Sequence, residues 1–140
     1  MICNETRLRV RYAETDKMGV VYHSHYLIWM EVGRAELMRQ HGFDYRSMEK
    51  QDNCHLPVVD VHIRYKAPAY YDDEILVRTH MKNTGRSLLR FGYQILRQSG
   101  EILLAEGETT HMIVDDKLQR SSLPEKYQAA LGTQRRKVNS

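Results

Sequence analysis

Apolar and polar residues alternate with period two along several stretches of this chain and recur at helical spacing along one. From Arg7 to Tyr12, Leu8, Val10 and Tyr12 alternate with Arg7, Arg9 and Arg11, which predicts a half-buried strand ending at Tyr12. A polar loop over 13–22 follows. A helix is expected from about Ser24 to His41. Its first part, Tyr26 to Met30, is apolar all round and should be deeply covered. Farther along, Val32, Ala35, Leu37 and Met38 continue the apolar surface, interrupted by Glu31, Arg34, Glu36 and Arg39. Gly42 suits the residue just past the helix end, and Arg39 and His41 suit its last turn. Asp44 is placed to cap a short helical turn through Lys50.

Leu56-Pro57 opens the next strand, where Val59, Val61, Ile63 and Tyr65 alternate with Asp60, His62, Arg64 and Lys66. Pro68 should end or bend it, and Asp72-Asp73 reads as a turn. Ile75, Val77, Thr79 and Met81 mark one face of a further strand, before a turn at Asn83-Thr84-Gly85. Leu89, Phe91, Tyr93 and Ile95 mark another, before a reversal at Ser99-Gly100, and Glu101 to Val114 is the last strand. Short turns between alternating runs predict an antiparallel meander. Beyond Lys117 the pattern stops. A small helix is expected over Leu123–Leu131, with Ser122 as N-cap and Gly132 as its stop, followed by a basic tail, TQRRKVNS. The fold class is therefore α+β, an antiparallel sheet of about five strands with one long helix. The division is a domain over 1–116 and a short helix with a basic tail over 117–140.

Charge changes this picture in one respect. The net charge is +3 over 140 residues, but residues 117–140 hold six Lys/Arg against one Asp/Glu. Residues 1–116 hold fifteen Lys/Arg against seventeen Asp/Glu, so the fold itself is no basic nucleic-acid platform. No apolar run reaches the roughly 20 residues of a membrane span, and MICNETRLRV lacks a signal peptide's apolar segment. Cys3 and Cys54 form no CxxC and suit a reducing, cytoplasmic setting.

The candidate chemistry gathers in Tyr12 to Tyr26, YAETDKMGVVYHSHY. A polar loop carries Glu14, Thr15 and Asp16, Gly19 allows a sharp turn, and a helix opens near His23 or Ser24. A carboxylate thus lies close to unpaired N–H groups and a partial positive charge. That pairing suits chemistry on a carbonyl: N–H groups for the oxygen, a carboxylate for the attacking side. Taken alone, Asp16 reads equally as a turn-capping carboxylate, and Tyr22, Tyr26 and Trp29 as core. Glu14 is a second carboxylate two residues away. Glu31 and Arg34 are spaced to pair across one helical turn. His23-Ser24-His25 does not face one metal, and His41, His55, His62, His80 and His111 lack zinc-type spacing. There is no GxxxxGK[ST], GxGxxG or GxSxG.

This segment resembles the hot-dog-fold acyl-CoA thioesterases of the 4-hydroxybenzoyl-CoA thioesterase class, and within them the branch associated with the Tol–Pal cluster. The residues that carry the resemblance are Tyr12, Thr15-Asp16, Gly19 to His23, Tyr26-Leu27, and Glu31 with Arg34, together with VVDVHIRYKAPAYYDD over Val58 to Asp73. It implies a curved sheet wrapped around the long helix, and hydrolysis of an acyl-CoA thioester without cofactor or metal. Asp16 would act as general base or nucleophile. The backbone N–H of His23 would polarise the thioester oxygen, and its imidazole is available to orient Asp16 or water. Tyr22 and Tyr26 become acyl-pocket candidates, and Arg64, Lys66 and Arg86 candidates for CoA phosphates, with Lys82 and Arg90 as further cations. The family forms edge-to-edge dimers and further tetramers with acyl sites at the dimer interface, so a homodimer or homotetramer is expected. Acyl carrier protein as thioester donor, or an envelope-complex partner, stays open. Two other readings remain: a non-catalytic acyl-CoA-binding or protein-interaction module, and an acyl-thioester hydratase or dehydratase on the same fold. The hydratase pattern DxNPxH is absent.

Overall fold

The computed structural model describes residues 2–42, 45–82, 85–98 and 101–131. In order the chain forms strand β1 (Ile2–Arg9), a 3-10 turn (Tyr12–Glu14), helices α1 (His25–Gln40) and α2 (Tyr45–Gln51), strands β2 (Val58–Tyr65), β3 (Glu74–Lys82), β4 (Leu88–Arg97) and β5 (Ile102–Met112), and helix α3 (Glu125–Leu131). The expected Asp44 cap, the turns at Asn83-Thr84 and Ser99-Gly100, the Gly132 stop and the basic tail lie outside the described residues.

The strands make one antiparallel sheet in the order β1-β3-β4-β5-β2. The meander holds for β3, β4 and β5 but not for β2. β2 pairs with β5, with Val61 opposite Thr109 and Ile63 opposite Gly107, at the edge farthest from β1. β3 cannot take it, because its free side is filled by β1 from Ile2↔Met81 to Arg9↔Glu74. Lys66 and Ala67 still donate to the Leu104 carbonyl before Pro68 stops the pairing. The turn at Asp72-Asp73, with Asp72 at φ +69°, therefore closes a crossing rather than a hairpin.

The first strand also ends earlier than expected. Glu14 draws the Arg11 N–H onto its carboxylate at 2.8 Å and bends the chain into the 3-10 turn, leaving Tyr12 77% exposed. Val10 stays buried.

α1 lies across the concave face of the sheet. Trp29, Met30, Leu37 and Met38 pack into one core with Val77, Phe91, Tyr93 and Ile95. Leu123 and Tyr127 belong to the same core, and the α3 side chains Tyr127 and Lys126 both reach the Asp52 carboxylate beside α2. Gly42 sits at φ +87° just past α1, as its position in sequence suggests. The first half of α1 is not covered all round: Leu27 is 40% and Ile28 45% exposed in the single chain, because the sheet covers only the side carrying Tyr26, Trp29 and Met30. β2 is likewise open, with Val59 and Val61 exposed on its helix-side face.

Gly33 sets the spacing between helix and sheet. A Cβ there would stand 2.3 Å from Thr79 Oγ1 and 2.8 Å from Val77 Cγ1. The helix therefore approaches β3 as closely as a bare backbone permits. Gly33→Ala is expected to destabilise the fold by about 2 kcal/mol in urea unfolding, although alanine is the better helix former.

Candidate active site

Residues 14–22 fold back on themselves. Thr15 bridges to Val21, the Asp16 N–H donates to the Val20 carbonyl at 2.9 Å, and the Gly19 N–H donates to the Asp16 carbonyl at 3.0 Å. Gly19, at φ +82°, makes the reversal. Asp16 stands half-buried at the tip, with Oδ1 accepting the Met18 N–H at 2.8 Å. Its second oxygen makes no hydrogen bond among the described residues. The tip is fixed from below: Val21 donates to the Ala69 carbonyl and Tyr22 to the Glu14 carbonyl, each at 2.9 Å.

Three residues after Tyr22, α1 begins. The N–H groups of His25, Tyr26 and Leu27 turn back to the carbonyls of Tyr22, His23 and Ser24 at 3.0–3.3 Å. Among the described residues, the N–H groups of His23 and Ser24 make no hydrogen bond, so they are the open donors of this helix start. The Tyr65 hydroxyl donates to the His23 carbonyl at 2.9 Å, which holds the turn against the end of β2. The exposed His23 ring contacts Tyr22 and Tyr65 at centroid distances of 4.4 and 6.4 Å. The expected link from imidazole to Asp16 is not formed: Asp16 uses a backbone partner and His23 aromatic ones.

A profile of the Thioesterase-like superfamily matches residues 10–131. The chain belongs to that superfamily. Among curated relatives, it is 41% identical over 115 residues to YneP of Bacillus subtilis (strain 168), covering 82% of each chain. It is 31% identical over 118 residues to the acyl-CoA thioester hydrolase YbgC of Escherichia coli O157:H7, covering 84% of this chain and 87% of YbgC. Among solved structures, the DHNA-CoA thioesterase of Staphylococcus aureus superposes with a TM-score of 0.88 at 34% identity, over 94% of this chain and 90% of that one. A 4-hydroxybenzoyl-CoA thioesterase superposes with a TM-score of 0.85 at 16% identity and shows the shared hot-dog fold.

Within this thioesterase-like fold the expected site residues separate. Asp16, Tyr22 and His23 lie on one continuous segment. Arg64 and Lys66 flank Tyr65, which touches His23, and Lys66 stands 3.6 Å from Glu106. Arg86 precedes β4 at the end of the sheet remote from the Asp72-Asp73 turn, so one chain does not bring it to the others. Tyr26 is buried between Trp29 and Tyr65, at 4.8 and 5.1 Å. Glu14 is buried as well. Burial pushes its pKa up, but the Arg11 N–H, the Trp29 indole at 3.1 Å and the Arg11 guanidinium outweigh that and hold it below the usual carboxylate value. It is thus a structural clasp rather than a second reactive carboxylate. Among the described residues no three His, Cys, Asp or Glu side chains converge as metal ligands, and no helix is long and apolar enough to cross a membrane.

A second polar group lies farther along α1, and spacing alone does not reveal it. Arg34 donates through Nη1 to the Tyr93 hydroxyl at 3.5 Å. Tyr93 meets Thr109 Oγ1 at 2.7 Å, Thr109 meets His111 Nε2 at 2.9 Å, and His111 Nδ1 meets the Leu56 carbonyl at 2.9 Å. The carbonyl can only accept, so Nδ1 carries the proton and Nε2 accepts from Thr109. Thr109 then accepts from Tyr93, and Tyr93 from Arg34. The sequence does hold a trace of this chain: Thr109 and His111 occupy core-facing positions of a strand where apolar residues are the norm.

Burial, with a smaller contribution from Arg34, pushes the His111 pKa down to about 4, against the hydrogen bond to Leu56. The folded protein thus binds a proton there less readily than the unfolded chain. Stability should be full above about pH 6.5 and fall as the pH is lowered towards 4, by about 3 kcal/mol. Urea unfolding between pH 7 and 4.5 should show this decline, and His111→Gln should flatten it.

Proposed function

We propose that this chain hydrolyses acyl-CoA thioesters to the free acid and CoA. The observation that carries the reading is the juxtaposition at the start of α1. A half-buried carboxylate with one unspent oxygen stands on a tightly held turn just ahead of α1, and the two residues that lead into the helix, His23 and Ser24, carry open N–H groups. The thioester oxygen would accept from the N–H of His23, with Ser24 beside it, where the helix dipole favours developing negative charge. Asp16 would either take a proton from water as it attacks the carbonyl or attack the carbonyl itself, the anhydride then being opened by water. On both routes the C–S bond breaks, water supplies the new oxygen of the acid, and the thiolate of CoA leaves and takes up a proton. The likeness to the acyl-CoA thioester hydrolase YbgC and to the Staphylococcus aureus thioesterase supports the thioester class.

In this reading the exposed Tyr22 borders the acyl entrance, and the buried Tyr26 shapes it from behind. Arg64 and Lys66, which flank the Tyr65 that bonds His23, are the cations assigned to the CoA phosphates, and Arg86 falls outside that set. A cytoplasmic setting belongs to the same proposal, since two cysteines without a disulfide framework suit a reducing compartment. Asp16→Asn keeps the size of the side chain and removes its charge. CoA release from a panel of acyl-CoAs should fall at least about 100-fold while thermal unfolding stays unchanged. An Asp16→Asn protein that releases CoA at the wild-type rate would remove Asp16 from this role.

The assembly is part of the proposal. β2 is an edge strand with Val58, Val59 and Val61 exposed, and Leu27 and Ile28 of α1 are open in the same chain. An uncovered apolar edge is a pairing surface. A second copy pairing along β2 would cover it and extend the sheet. Val61→Lys should shift the protein from dimer to monomer in sedimentation at micromolar concentration. A variant that sediments as the wild type would place the interface elsewhere.

A further inference from the structure

Tyr65 closes β2, 42 positions beyond His23. Its backbone is pinned. Tyr65 pairs with Ala105, and the next two N–H groups, of Lys66 and Ala67, both donate to the Leu104 carbonyl at 2.8 and 3.1 Å. Its ring is braced as well, standing perpendicular to buried Tyr26 at 5.1 Å and to the His23 ring at 6.4 Å. The hydroxyl that donates to the His23 carbonyl at 2.9 Å is therefore delivered from a fixed part of the sheet.

The His23 carbonyl and the Ser24 N–H are the two ends of one peptide unit. That unit is planar and trans, so its C=O and N–H point in opposite directions and turn together. Whatever fixes the carbonyl also aims the N–H. The carbonyl accepts from two donors, the Tyr65 hydroxyl at 2.9 Å and the Tyr26 N–H at 3.3 Å. The Tyr26 bond is longer than usual and belongs to the same turn, so it moves with the turn. The Tyr65 bond is shorter and comes from outside. Because the carbonyl points into the turn towards Tyr26, the Ser24 N–H points out of the helix start. It has no hydrogen-bond partner there among the described residues. A donor on the carbonyl also polarises the amide and strengthens the N–H at its other end. The neighbouring peptide, which carries the His23 N–H, is held from within the turn, its Tyr22 carbonyl accepting the His25 N–H at 3.0 Å.

We propose that Tyr65 is a positioning residue for the carbonyl site: by holding the 23–24 peptide it aims the Ser24 N–H at the thioester oxygen, as a second donor beside His23. The inference rests on the thioesterase reading. Tyr65 touches no reacting atom. Its effect falls on the transition state, because the oxygen gathers negative charge only as the carbonyl is attacked. Removing such a donor outright costs about 100-fold or more in rate, so loosening its aim should cost about tenfold.

Tyr65→Phe keeps the ring and its contacts with Tyr26 and His23 and removes only the hydroxyl. Over a panel of acyl-CoAs, kcat should fall about tenfold and KM change by about twofold or less, with thermal unfolding unchanged. In the Asp16→Asn background, where the thioester should stay intact, infrared difference spectra of bound benzoyl-CoA and hexanoyl-CoA read the carbonyl stretch directly. Binding should lower its frequency relative to water, and adding Tyr65→Phe should return part of that shift. An unchanged kcat, a loss confined to KM or to stability, or a carbonyl shift that is absent or indifferent to the hydroxyl would overturn the inference while leaving hydrolysis standing. A carbonyl shift that depends on Tyr65, in a protein whose wild type releases no CoA, would support the positioning role and instead sink the hydrolytic reading.

Discussion

The buried Glu14 carboxylate ties the candidate site segment to the core. It accepts from the Arg11 backbone and guanidinium on one side and from the Trp29 indole on the other, so the end of β1 and the middle of α1 are held by one side chain. Its own carbonyl accepts from Tyr22, which closes the loop carrying Asp16. An ionised carboxylate in such a place is stable only with its donors intact. Losing one of them would loosen the strand end, the turn at Asp16 and the start of α1 together. The geometry of the candidate site is thus an extension of core packing, although Asp16 itself sits near the surface.

The fold is legible in the sequence wherever side-chain alternation coincides with pairing between neighbours. β3, β4 and β5 follow the period-two pattern because each has its inner face on the core and pairs with the strand next to it in the chain. β2 shows that alternation reports faces and not partners: its pattern is as regular, yet it crosses to the far edge. Tyr12 shows a different limit. It continues the alternation of Leu8 and Val10, but a carboxylate two residues later competes for the backbone and wins. At the site, the motif around Asp16 and His23 is readable through resemblance. The separation of Glu14 into a buried clasp and Asp16 into an open carboxylate is not, because the two differ in solvent access rather than in residue type or spacing.

The exposed apolar residues and the buried polar ones are two sides of the same incompleteness. Val59, Val61, Leu27 and Ile28 face solvent in a single chain, while Arg34, Tyr45 and His55 hold unspent hydrogen-bonding atoms inside. The first set is the surface on which a second copy is proposed to pair. Leu27, Ile28 and Arg34 lie on α1, Val59 and Val61 on β2, and Tyr45 on α2.

Gly33 gives that helix a further property. With no side chain between its backbone and β3, α1 has no room to slide or roll, so residues on its open side stand at fixed heights above its first turn. In the proposed reading the helix is a ruler whose zero mark is the carbonyl site and whose graduations are single residues one turn apart. A substitution at Leu27, Glu31 or Arg34 would then change the surface at one height and leave the first turn untouched. A scaffold of this kind can change its substrate by one substitution at a time without disturbing the chemistry at its end.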